Sequence, residues 1–202
     1  MIDSRLKRYW LAELEQSATS LEKLYRTNDW NDELEFSVEK SIFLGFYAIR
    51  KLKESGLLPN NVISLNWKIT TYPKADKSKQ NKFINDYQLF SGGSKQLSLE
   101  ALCNQFVHSN HFSPFVPDNH VCAGFFFASD RESKKELYYM QLVSVINVFL
   151  SVVHEKRMTL ELVQNESEFS VPLPTHNKAF KTDSQRSAFS VCFSLSVYGT
   201  ML

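Results

Sequence analysis

Glycine and proline are scarce, six of each, so the sequence is neither collagen-like nor a flexible linker. Cysteine is scarcer still. Cys103, Cys122 and Cys192 form an odd, widely spaced set, which excludes a disulfide framework and fits reduced thiols in a cytoplasmic protein. No long apolar run is present. The most apolar stretch, residues 142–153, falls short of the roughly 20 residues that a membrane-spanning helix needs, and serine and asparagine interrupt it. Met1-Ile2-Asp3-Ser4-Arg5 opens a charged segment with no apolar stretch behind it, so no signal peptide is expected. Charge of one sign is also lacking: 23 Lys and Arg against 22 Asp and Glu leave a net charge of +1. Such a chain has no global field for polyanions, so nucleic acid would have to be met at a local patch. That weighs against DNA binding and leaves RNA contact at a small site open.

What is present is apolar and aromatic. With 202 residues, 43% of them apolar and 16 of them Phe, the chain can bury a sizeable core without disulfide or metal staples. No internal repeat or sharp composition shift divides it. The expectation is one α+β domain over 1–202, helical over 1–57 and mixed over 58–202. Its architecture would be a long antiparallel helical hairpin and a third helix, packed with an antiparallel sheet from the C-terminal half.

Leu6, Trp10, Leu14, Ala18, Leu21, Leu24 and Tyr25 recur at three- and four-residue spacing and predict a one-sided first helix, capped by Asp3 or Ser4. Asn31 or Asp32 opens a second helix that runs to about Ser55. Its apolar residues, Phe36, Leu44 and Tyr47 among them, cover most of the circumference, which predicts burial on several sides. Gly56 and Pro59 stop it. Val62–Thr70 reads as a strand and Asp86–Phe90 as a short one, with a lysine-rich loop over 74–82 between them. Ser98 caps a third helix from Leu99 to about Asn110, and Pro114 and Pro117 bar its continuation. Val121–Ala128 and Leu137–Leu142 predict a hairpin, and Val143–His154 fits helix or strand equally. Further strands are expected over 158–163, 169–171 and 187–202.

Two cysteines and three histidines gather in one stretch: Cys103, His108, His111, His120 and Cys122. Zinc takes both residue types. On a helix turning about 100° per residue, however, Cys103 falls on the face of Leu99, Leu102 and Phe106, whereas Asn104, His108 and His111 fall opposite. Cys103 and His108 therefore cannot share one tetrahedral ion unless the helix ends early; His108 and His111, at i and i+3, could share one with His120 or Cys122, but clustered His and Cys more often reflect core cysteine, and no metal is assigned. Gly92-Gly93-Ser94-Lys95 lacks the spacing of a phosphate loop and reads as a hairpin turn, so no cofactor is assigned either.

Cys103-Asn104-Gln105-Phe106-Val107-His108 resembles the HEPN superfamily signature, in which Arg-Asn-x-x-x-His sits on a helix of a helical bundle. The resemblance covers Asn104 and His108, together with two long preceding helices. It implies an RNA-directed module of bacterial conflict or defence type, commonly dimeric, and metal-independent ribonuclease activity where the domain is active. It also implies that His108 is the acid–base residue and that Asn104 orients it or holds a phosphate oxygen. The family arginine falls at Cys103, which carries no charge. Arg50 on the second helix is the candidate replacement, and His111 a further substrate-binding candidate. Many HEPN-like domains are inactive and serve in binding or dimerisation. The same string is also similar to that of a group of uncharacterised bacterial proteins. Two other readings stand beside the resemblance. The Asn104–His108 pair can simply cap the helix or hydrogen-bond to the loop that follows it, through Ser109, Asn110 and the Pro114 region. The chain can also be a non-enzymatic module that docks a protein partner or a second copy through its helical hairpin, a reading that exposed apolar residues on the first helix would favour.

Overall fold

A computed structural model describes residues 4–27, 30–75, 86–117 and 121–158, all within the unit Met1–Leu162. Helix α1, Lys7–Tyr25, follows a 3-10 turn over Ser4–Leu6. Leu6 rather than Ser4 takes the N-cap position, with no side-chain cap. Helix α2, Asp32–Glu54, is capped as its sequence demands: the Asn31 side chain accepts from Leu34 N at 3.0 Å. Acidic Asp32, Glu33 and Glu35 fill its first turn and Lys51 and Lys53 its last, the arrangement that complements the helix dipole. Gly56, at φ 68°, lets the chain turn back. Gly56 N then donates to Lys53 O and Leu57 N to Leu52 O, which satisfies the last carbonyls.

Five strands form one antiparallel sheet in the order β2-β1-β5-β4-β3. They are β1 (Asn66–Pro73), β2 (Gly93–Ser98), β3 (Ser109–Phe115), β4 (Gly124–Ser129) and β5 (Glu136–Gln141). Helices α3 (Asn60–Ile63), α4 (Leu99–Val107) and α5 (Leu142–Val153) complete the described elements. The α+β architecture follows the sequence pattern, with three local differences. Residues 62 and 63 belong to α3, so β1 starts later than expected. Asp86–Phe90 makes only an isolated bridge, Lys74 to Tyr87. Helix α4 stops at Val107, and after the C-cap His108 the edge strand β3 begins at once. Pro114 lies in that edge strand, where a missing N–H is tolerated. The strands expected over 158–163, 169–171 and 187–202 lie, but for Met158, outside the described residues.

The core sits between the helices and one sheet face. Leu14, Leu21, Ile42, Phe46 and Ile49 from the hairpin meet Trp67, Ile69, Leu97, Phe125, Phe127 and Met140 from the sheet. Phe106 of α4 is the hinge pin of this contact. Its ring stacks on Phe46 at 4.0 Å and on Phe127 at 4.4 Å, joining α2, α4 and β4 in one column. The open choice at 143–154 resolves as helix: Leu142, Val145, Ile146, Phe149 and Val152 are buried at helical spacing. Helix α2 is less enclosed than its apolar circumference predicts. Phe36, Leu44 and Tyr47 remain 64%, 39% and 42% exposed, because neighbours cover only the Val38–Phe46–Ile49 side.

Candidate functional site

Helix α4 is fixed at both ends. Ser98 Oγ accepts from Ala101 N at its start. Near its end the Gln105 side chain accepts from Ser129 N at 3.2 Å, and His108 O accepts from Asp130 N at 3.3 Å. These bonds tie the last turn to the β4 terminus. The amphipathic wheel then does the sorting that the sequence indicated. Leu102, Cys103 and Phe106 are buried, Asn104 is half-buried, and His108, the C-cap residue, is exposed.

Packing of α4 on α2 brings His108 to Arg50. Arg50 Nη1 stands 3.2 Å from His108 Nε2. A guanidinium has only donors, so the imidazole accepts at Nε2 and carries its proton on Nδ1. The same arginine donates from Nε to Glu54 at 2.7 Å, and Lys51 reaches the other Glu54 oxygen at 3.3 Å. These two cations hold the Glu54 carboxyl below the usual carboxylate range through hydrogen bonds and charge. Lys53 pairs with Glu100 at 2.6 Å beside them. Two of the four residues named from the sequence thus meet side chain to side chain, Arg50 and His108; Asn104 lies one helical turn before His108 and is joined to it through the backbone, Asn104 O accepting from His108 N at 3.1 Å.

The fourth does not join them. His111 pairs with Ala128 in β3, next to Phe112, whose ring packs on Phe43 of α2. Strand alternation turns His111 to the sheet face away from the helices. Burial and the charge of Lys74 lower its pKa. The capping role expected of the pair holds, since His108 is the C-cap of α4; in the loop that follows, Ser109 Oγ donates to His111 O at 2.7 Å, and the His108 ring faces Arg50.

Cys103 and Cys122 are both fully enclosed, and burial pushes each thiol up to about 12. Neither is a nucleophile at neutral pH. Among the described residues, no three of His, Cys, Asp and Glu stand close enough to share a metal ion. Among them also, no helix is long and apolar enough to cross a membrane. Sequence reasoning missed Glu54 as the acid facing Arg50; its spacing of four residues from Arg50 on one helix was the available signal. Compared with family models, curated proteins and solved structures, the chain matches none.

Proposed function

We propose that the protein is an RNA-directed module of HEPN-like type, in which Arg50, His108 and Asn104 engage one phosphodiester. The observation that carries this reading is the 3.2 Å approach of Arg50 to an exposed His108. It supplies the cation that the sequence motif lacks at Cys103, and it does so from a different helix.

In this reading the contact holds the base in check until substrate arrives. Arg50 occupies the Nε2 lone pair, the atom that would act as the base. An incoming phosphate offers the guanidinium a better, bidentate partner and draws it off. Nε2 is then free to take the 2′-hydroxyl proton. The O2′–P bond forms, the P–O5′ bond breaks, and the leaving oxygen takes its proton from solvent. Arg50 meets the charge that develops on phosphorus oxygens, and the Asn104 amide donates to one of them. Incubation of the purified protein with total RNA, alongside His108→Ala, tests this. Cleavage by wild type and its loss in the variant support the reading; equal cleavage by both removes it.

A second reading has its own observation. Leu6 and Tyr9 at the start of α1 and Phe36 on α2 are 46%, 58% and 64% exposed. Apolar residues in water on the hairpin favour a module that docks a protein or a second copy of itself. Sedimentation at increasing concentration tests the docking of a second copy, which produces a dimer that exposed-residue variants such as Phe36→Ser dissolve; because the first reading also allows a dimer, the RNA cleavage assay is what separates the two.

A further inference from the structure

We infer that Glu54 is a positioning residue of the phosphodiester site: it anchors Arg50 at Nε, so that substrate can draw Nη1 off His108 while the guanidinium stays beside the imidazole. This rests on the RNA-directed reading above. Arg50 meets its two partners with different nitrogens. Nε donates to Glu54 Oε1 at 2.7 Å, and Nη1 stands 3.2 Å from His108 Nε2. A guanidinium grips a phosphate with two parallel donors, either Nε with the neighbouring Nη or the two Nη atoms together. Glu54 takes Nε, which leaves the pair of Nη atoms for the anion. Nη1 is the one that touches His108, so the phosphate that replaces the imidazole as acceptor is held next to it. That is where Nε2 has to meet the 2′-hydroxyl.

Three features fit Glu54 to this role. First, its spacing of four residues from Arg50 on one helix sets the carboxylate beside the guanidinium. Second, the carboxylate is itself held. Its other oxygen accepts from Lys51 Nζ at 3.3 Å, and the two cations keep its carboxyl below the usual range, so it remains an acceptor at neutral pH. Third, the end of α2 that carries it is tied to α4, the helix that carries His108, by Lys53 and Glu100 at 2.6 Å. The anchor and the imidazole are thereby kept in register. Arg50 is long and partly exposed, and without the anchor it can follow a phosphate into solvent. An exposed pair of this kind contributes little to stability, so its loss is read at the site rather than in the fold.

Glu54→Ala and Glu54→Gln in the full chain, beside wild type and His108→Ala, test the anchor. Cleavage of labelled RNA reads kcat and KM, and nitrogen NMR of the imidazole reads the His108 tautomer without any turnover. Glu54→Ala should lower kcat by about 10–10²-fold and leave KM nearly unchanged, since the phosphate is still bound but misplaced. Its Nδ1–H tautomer should give way to a mixture of the two. Glu54→Gln keeps an oxygen for Nε and should recover most of the rate and the tautomer. Urea midpoints of both variants should stay close to wild type. If His108→Ala stops cleavage while Glu54→Ala cuts as wild type does, the anchor is wrong and the site stands. A faster Glu54→Ala also overturns it, because the carboxylate then only competes with phosphate for Arg50. So does a Glu54→Gln as slow as Glu54→Ala. An unchanged tautomer in Glu54→Ala sinks the anchor whether or not RNA is cut. If wild type cuts no RNA, or His108→Ala cuts equally well, the site reading falls and takes the role of Glu54 with it.

Discussion

Gly45→Ala should destabilise this protein even though alanine is the better helix former. Gly45 is buried in the middle of α2, where α5 crosses it. A Cβ there would overlap Phe149 Cζ and Cε2 and lie 2.9 Å from Cε1. Carbon pairs settle at about 3.5–4.0 Å, so the ring or the helix has to move by more than an ångström or so. Phe149 has nowhere to go, being fully buried with its ring edge-on to Phe46 at 5.2 Å. Overpacking of this kind costs about 1–3 kcal/mol, and contact with three ring atoms argues for the upper half of that range. Alanine recovers about 1 kcal/mol of helix propensity. The net loss is about 1–2 kcal/mol, a fall of roughly 2–8 °C in Tm for a chain of this size. Urea and thermal unfolding followed by far-UV circular dichroism measure it. Adding Phe149→Leu should make the two losses less than additive, since the smaller side chain vacates the space. If Gly45→Ala raises the midpoint instead, propensity has won, and the helices are not in contact at position 45 as described.

Three further outcomes follow from the same geometry. Asn31→Ala should cost about 1 kcal/mol by removing the α2 cap, and Asn31→Asp should cost far less; equal losses in urea midpoints would contradict the capping role. His111 should titrate by NMR below its ordinary value of 6.5. Because the folded form resists the proton, this contribution to stability is complete above about pH 6.5 and is lost as pH falls through the lowered folded value. His111→Gln should therefore flatten the acid side of the stability profile, and an unchanged acid limb would refute the assignment. Cys103 and Cys122 should resist a thiol reagent in the native state at neutral pH, as read by peptide mass spectrometry; modification of either before unfolding would contradict their burial.

Much of the helical architecture was legible because α1 and α2 write their buried faces at three- and four-residue spacing and α2 carries its cap and stop residues. Strands β2 and β3 were not, for different reasons. In β2 only Leu97 is buried, so no alternation marks it, and pairing with β1 supplies the order. In β3, Ser109, Asn110 and His111 include no helix breaker, so the helical pattern of α4 runs on past its true end at Val107. Residues 143–153 are apolar all round, a pattern equally at home in a central strand, and their placement over α1 and α2 decides the matter. At the candidate site, the turn relating Asn104 to His108 and the inward face of Cys103 came from the wheel. The meeting with Arg50 joins residues 58 positions apart and depends on how α4 docks on α2 through Phe106.

The most direct test of the site is the end chemistry left on a labelled single-stranded RNA under single-turnover conditions. The wild type should leave 2′,3′-cyclic phosphate ends and spare the same strand made with 2′-deoxy sugars. His108→Ala should be slower by about 10²–10⁴-fold. Undiminished cutting by His108→Ala, or equal cutting of the deoxy strand, would contradict a phosphodiester held between Arg50 and His108.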